Sequence, residues 1–162
     1  MLPFTSNSPL GRGLLLAAVV ASASAFAVPA LAGECPADQK KANAREAVDL
    51  KPVGVTDTVI ASIDVSKAPF NIDGRNFRMR KLTIEPGGIV PWHSHADRPA
   101  IIYIVEGEIH EYASNCAVPI VHKAGEVARE THATSYWWQN NGEAAVTLLS
   151  FDIVGDPNDH HM

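Results

Sequence analysis

The stretch PGGIVPWHSHADRPAIIYIVEGEIHEY, residues 86–112, decides how this chain folds. It carries two histidines one residue apart, His93 and His95, between glycine-rich segments and a run of β-branched residues. Because successive side chains of an extended segment alternate between its faces, both imidazoles lie on the same face. Two imidazoles placed in this way are typical of a metal site, and the further ligands must come from elsewhere in the chain.

The rest of the chain from residue 53 onward is built from short β-branched runs separated by Gly, Pro, Asn and Asp. These runs are VTDTVIASIDV (55–65), NFRMRKLTI (76–84), AIIYIVEG (100–107), VPIVH (118–122), SYWWQN (135–140) and AAVTLLSFDIV (144–154). Runs of this length and spacing predict an all-β sandwich or barrel.

Residues 75–154 resemble the cupin family in two motifs. The first cupin signature is a glycine, five residues, His-x-His, three or four residues, a glutamate, six residues and a glycine. The second is a glycine, five residues, Pro-x-Gly, two residues, a histidine, three residues and an asparagine. Six residues stand in register with these frames: Gly87, His93, His95, Gly107, Gly125 and Asn140. The resemblance implies a cupin-type antiparallel β-barrel (a jelly roll or double-stranded β-helix) with a central ligand pocket.

Two of the four metal ligands that the resemblance implies are replaced. The glutamate position is Ala100, and the histidine position of the second signature is Tyr136. Two imidazoles alone bind a divalent ion weakly, because a tight site needs at least three protein ligands. Six nearby side chains are candidates for a further donor: His110, His132, Tyr136, Asp97, His160 and His161. The cofactor expected from a completed site is one divalent transition metal (iron, manganese, zinc, copper or nickel), and the alternative is a metal-free pocket.

Strand alternation also predicts the lining of the pocket. If Tyr136 takes the inward direction of the missing histidine, Trp138 points inward and Trp137 points outward. Trp138 then either contacts a planar or apolar organic ligand or fills the core of the barrel. Tyr136 is also the candidate catalytic residue, as a metal ligand or as an acid–base group.

Three arginines are candidates for an anion site in the same pocket. Arg78 and Arg80 share parity with the apolar residues that follow them, and so face the pocket unless a bulge near Arg80–Lys81 turns them to solvent. Arg98 precedes Pro99, which restricts it to an extended backbone and fixes its direction. A carboxylate or a phosphate is the expected ligand of such a site.

The ends of the chain differ in composition from the barrel. Residues 1–32 have an apolar, alanine-rich run that ends in the small-x-small pattern of a signal peptide, with a membrane anchor as the alternative. After cleavage no stable membrane anchor is expected, and the predicted location is a bacterial periplasm. Residues 33–52 form a short N-terminal arm, 53–154 the cupin barrel, and 155–162 a polar tail. In an oxidising compartment, Cys35 and Cys116 are expected to form a disulfide.

Composition limits the partners. Without Arg12, which lies in the leader, 12 basic residues stand against 18 acidic ones, for a formal charge of −6. This balance argues against nucleic acid and anionic membranes as partners and leaves a small-molecule ligand. Three functions remain: a module that binds a small molecule or a metal; an enzyme, either metal-dependent (oxygenase, isomerase or lyase) or metal-free with a His/Tyr pair; and a structural homodimer, with Tyr103 and Trp137 at its interface.

Overall fold

A computed structural model describes residues 33–70 and 72–159 of the protein. The predicted signal peptide and the histidines at 160 and 161 lie outside these residues. Within them, no helix is both long and apolar enough to cross a membrane.

Among the described residues, eight antiparallel strands form a nearly closed barrel. They are β1 (Val53–Asp64), β2 (Asn76–Ser94), β3 (Ala100–Glu106), β4 (Glu108–Ala113), β5 (Ile120–Lys123), β6 (Val127–Glu130), β7 (Ser135–Gln139) and β8 (Val146–Val154). The strand order is β5-β4-β7-β2-β8-β3-β6, with β1 paired to β2. The prediction of an all-β cupin-type barrel is confirmed.

Strand β2 connects the two halves of the barrel. Its first half pairs with β1 and β8, and its second half pairs with β7. The change of partner falls near Gly87, whose φ of 74° lies in the left-handed region that glycine adopts without strain. This bend carries the end of β2 across the barrel, so that His93 faces Tyr136 of β7 in the register.

The N-terminal arm is tied to the barrel by the predicted disulfide. Cys35 and Cys116 are bonded, with their Cα atoms 5.8 Å apart. One 3₁₀ turn, Ala37–Gln39, follows Pro36 in the arm. A disulfide fits an oxidising environment.

Polar and charged residues lie at the centre of the barrel beside its apolar core. The apolar core includes Leu82, Ile84, Ile104 and Ile109. The buried charged or titratable residues are Arg78, Arg80, His95, Arg98, Glu111, His122, Glu130 and Asp152. Because burying such groups is costly unless they are paired, their partners reveal what the centre of the barrel is built to do.

Candidate metal centre

The two histidines at the end of β2 present the same ring nitrogen to the interior. The Nδ1 atom of His93 donates a hydrogen bond to the carbonyl oxygen of Pro91 at 2.8 Å, and Nδ1 of His95 donates to the carbonyl oxygen of Arg98. Since a carbonyl oxygen can only accept, each Nδ1 carries a proton. Both Nε2 atoms are thereby directed to the interior, and backbone anchoring of this kind is typical of histidines that bind a metal.

Glu130, at the end of β6, completes a cluster of three donors. Its Oε2 lies 2.8 Å from Nε2 of His95, and its Oε1 lies 3.7 Å from Nε2 of His93. Each residue offers one ligand atom, and these atoms all lie within 4.8 Å of one another. Two imidazoles and one carboxylate therefore converge inside the barrel.

Glu130 was not among the predicted donors, because it falls at one of the five unspecified positions after Gly125 in the second cupin signature. Glu130 is the cross-strand partner of Ala100, the position at which the first signature has its glutamate. The carboxylate has thus moved from β3 to the neighbouring strand. Strand alternation could not single it out, because Val127 and Ala128, which have opposite parity, are both apolar.

The charge state of Glu130 suits a metal ligand. Burial alone would raise the pKa of its carboxyl, but hydrogen bonding and positive charge from His93 and His95 outweigh burial and hold the pKa well below its usual range. Glu130 is therefore an ionised acceptor at neutral pH.

These donors fit the divalent metal that the fold implies. Nε2 of His95 and Oε2 of Glu130 lie at hydrogen-bond distance, and a metal ion held by both residues would take the place of this hydrogen bond. Two imidazoles and one carboxylate with open positions are the donors of non-haem iron sites and of one class of catalytic zinc site.

A second buried cluster lies behind Glu130. The indole Nε1 of Trp138 donates to Oε1 of Glu130 at 2.8 Å, and the Trp138 ring stacks on His122 with centroids 4.8 Å apart. Nε2 of His122 lies 2.7 Å from Oε2 of Glu111. Burial raises the pKa of Glu111, against the opposing effect of the His122 hydrogen bond. Trp138 therefore points inward, as its parity predicts.

The other candidate donors lie apart from the histidine pair. His132 is exposed in the turn after β6, Asp97 is exposed, and His110 is on the outward face of β4, opposite in parity to Ile109. Tyr136 is buried, with its ring centroid 6.4 Å from that of His93, but its hydroxyl accepts a hydrogen bond from the Thr131 backbone N–H. Among the described residues, Glu130 is thus the group found beside the histidine pair, and the roles of His110, His132, Asp97 and Tyr136 stay predictions.

The three predicted pocket arginines are buried around an internal carboxylate. Arg78 forms a two-pronged salt bridge to Asp152, with distances of 3.0 and 2.7 Å. Arg80 contacts Asp57 at 2.6 Å, and Arg98 lies 3.7 Å from Asp152. No bulge turns Arg80 outward: its pairing with β8 is continuous, and the irregularity lies in β1, between Val59 and Ala61. Asp152 thus occupies the place expected for an external anion.

Two recesses meet at His93. The inner one is a cavity of about 30 Å³, which holds about two water molecules. Its lining includes the three donors, Arg80, Trp138 and apolar core residues. The outer one, of about 520 Å³, is lined by residues that include Arg75, Asp97 and Arg98. A planar organic ligand is too large for the inner cavity, whereas the outer recess has room for one beside His93.

An antiparallel barrel with a polar cluster at its centre defines a double-stranded β-helix protein. A family model described as a cupin domain matches residues 80–152. This match and the barrel fold support membership of the cupin superfamily. A search of the curated proteins gave no match.

Solved structures with the same fold have diverse descriptions. One is a recombinant oxalate oxidase in complex with glycolate (22% identity, 74% of this chain and 58% of that chain, TM-score 0.51). Another is a Klebsiella pneumoniae protein with a double-stranded β-helix domain (15% identity, 70% of this chain and 85% of that chain, TM-score 0.50). A third is the Schizosaccharomyces pombe Cnp3 cupin domain (15% identity, 64% of this chain and 63% of that chain, TM-score 0.49). The chain thus spans less than two thirds of the first and third, and these likenesses show the fold alone.

Proposed function

We propose that this protein is a secreted cupin that holds one divalent transition-metal ion on His93, His95 and Glu130 and offers it to a small ligand. The observation that carries the proposal is the convergence of three donor atoms within 4.8 Å, with both imidazoles anchored through Nδ1. Two neutral imidazoles and one carboxylate leave a bound divalent ion with a net charge of +1, which suits an anionic or polar oxygen ligand.

The residues around the donors have different roles in ligand binding. His93 borders both recesses, so a ligand in the outer one reaches the site beside this imidazole. Apolar side chains such as Leu82 and Ile102 limit the inner cavity to molecules of the size of water. When bound, the metal supplies Lewis acidity and, for iron, manganese or copper, redox capacity.

Metal-dependent catalysis is the second candidate function. It is favoured by the meeting of a water-sized cavity and a larger recess at one side chain, because a reaction needs room for a substrate beside the metal. The metal-free His/Tyr alternative has less support, since the Tyr136 hydroxyl is engaged by the turn that follows Glu130.

Secretion and dimerisation remain separate proposals. The disulfide supports an oxidising compartment, and the apolar leader at 1–32 supports export to a periplasm. For a dimer, Tyr103 is exposed on β3 beside exposed Ile101 and Val105. Trp137 is engaged within the chain instead, because its ring stacks on Tyr112 at a centroid distance of 3.9 Å.

Metal content by mass spectrometry tests the proposal. The protein is exported to a periplasm, purified without a tag or chelator, and compared with His93→Ala/His95→Ala. We expect about one equivalent of a single transition metal in the wild type and almost none in the variant. An equal metal content in the two proteins, with both folded, would falsify the proposed site.

A further inference from the structure

The two oxygens of the Glu130 carboxylate have different partners. Oε1 accepts the indole N–H of Trp138 at 2.8 Å, whereas Oε2 faces Nε2 of His95 at 2.8 Å. Glu130 and Trp138 are only 2% and 3% exposed, so neither side chain is open to bulk solvent. The carboxylate is therefore held in one orientation from both sides.

Trp138 is itself fixed from behind. Its ring stacks on His122 at an interplanar angle of 24°, and His122 is hydrogen-bonded to Glu111. In the strand register Trp138 lies between Val90 of β2 and Glu111 of β4. Because buried side chains are close-packed, the indole cannot turn away from Glu130 without disrupting these contacts.

We propose that Trp138 is a positioning residue that restricts Glu130 to one metal bond, through Oε2. This inference rests on the proposed metal site. A hydrogen bond to Oε1 occupies that oxygen and weakens it as a donor, so that Oε2 becomes the preferred ligand atom. A carboxylate bound through one oxygen leaves one more position for an external ligand than a carboxylate bound through both.

If Trp138 only fills space, its replacement by phenylalanine should leave the metal site unchanged. Trp137 provides the matched control. Phenylalanine retains an aromatic ring for packing on His122 but lacks the N–H that reaches Glu130. Trp137 is the neighbouring residue of β7 and faces the other side of the sheet, where it stacks on Tyr112. Trp137→Phe therefore repeats the chemical change away from the site.

The experiment is a titration of the metal-free protein with Co²⁺, followed by visible absorption, whose bands depend on coordination number. We expect the wild type and Trp137→Phe to bind one equivalent with the same spectrum. In Trp138→Phe we expect an affinity about 10- to 100-fold lower, as for the loss of other outer partners of metal ligands, and a changed spectrum. An unchanged affinity and spectrum in folded Trp138→Phe overturns the inference and leaves the metal site intact. A wild type that binds no Co²⁺ overturns the proposed function, and the inference with it.

A measurement on the wild type covers the case in which Trp138→Phe does not fold. The three indole N–H groups, of Trp92, Trp137 and Trp138, give separate signals in a nitrogen–proton NMR spectrum. On addition of Zn²⁺ we expect the Trp138 signal to shift most and to stay protected from exchange with solvent. A Trp138 signal that does not respond to bound Zn²⁺, or that exchanges as fast as that of Trp137, contradicts the positioning role.

Discussion

Two buried histidine–glutamate clusters lie in one barrel and have opposite electrostatics. Nε2 of His95 lies 2.8 Å from Glu130, and Nε2 of His122 lies 2.7 Å from Glu111. Yet the pKa of Glu130 is held below its usual range, because two imidazoles outweigh the effect of burial. The pKa of Glu111 is raised, because burial outweighs the effect of a single imidazole.

The two clusters also differ in how their imidazole rings are held. His93 and His95 have their Nδ1 atoms anchored on backbone carbonyls and border a cavity. In contrast, Nδ1 of His122 has no hydrogen-bond partner among the described residues and faces the backbone near Gly33. A short distance between imidazole and carboxylate is thus insufficient: a second imidazole, and the anchoring of both rings on backbone carbonyls, make the cluster at Glu130 suited to a metal.

The largest effect on metal affinity is expected from removing the Glu130 carboxylate and placing a carboxylate at residue 100 instead. We expect Glu130→Gln to lower Co²⁺ affinity by more than about 100-fold, because losing a ligand costs more than losing one of its outer partners. Adding Ala100→Glu should then recover at least about tenfold, since residue 100 is the cross-strand partner of 130. Titration with Co²⁺ measures both changes.

Ala100→Gln in the Glu130→Gln background is the control for this exchange. It adds nearly the same volume at residue 100 without the charge, so it should recover no affinity. Equal recovery by glutamine and glutamate would show that the gain comes from packing. Thermal unfolding checks that each variant is folded.

A second prediction concerns the arm, whose first described residue lies against the Glu111 cluster. A Cβ built on Gly33 would lie 2.9 Å from Nδ1 of His122, and the neighbouring Cys35 is bonded to Cys116. Replacing both cysteines by serine should lower the free energy of unfolding by about 2–4 kcal/mol, because the unfolded chain gains freedom. Urea unfolding measures the loss. Metal content should stay the same, and its loss would show that the two clusters are not independent.

A smaller effect is expected from pH. A raised pKa in the folded state means that Glu111 costs stability as pH rises above the ordinary value of 4.5 and through the folded value. Metal-free Glu111→Gln should therefore be more stable than the wild type at pH 7, by about 1 kcal/mol, and the difference should shrink towards pH 4.5. Urea unfolding across this range provides the measurement. A constant difference would mean that Glu111 does not titrate as its burial implies.

The sequence predicted the features that depend on periodicity and motif spacing. Trp138 is buried and Trp137 half-buried, as strand alternation predicts, and Arg78 and Arg80 are buried with Leu82, one of the two orientations that their parity left open. The possible bulge was assigned to the wrong strand, because either of two paired strands can absorb an extra residue, and here β1 does so.

Glu130, the proposed third metal donor, could not be predicted from motif spacing. Glu130 is 30 positions from Ala100, and only the pairing of β3 with β6 places the two side by side. A frame that runs along the chain contains no information about which residue of another strand faces a given position. For the same reason, the pairing of Arg78 with Asp152 became visible only in the structure.

The central claim is that Glu130, rather than buried glutamate in general, completes a metal site. The most direct test is metal content by mass spectrometry in Glu130→Gln and Glu111→Gln, which make the same chemical change in the two clusters. We expect about one equivalent of a transition metal in the wild type and in Glu111→Gln, and almost none in Glu130→Gln. Retention of the metal in Glu130→Gln, or its equal loss in both variants, would contradict the proposed role of Glu130 as a metal ligand.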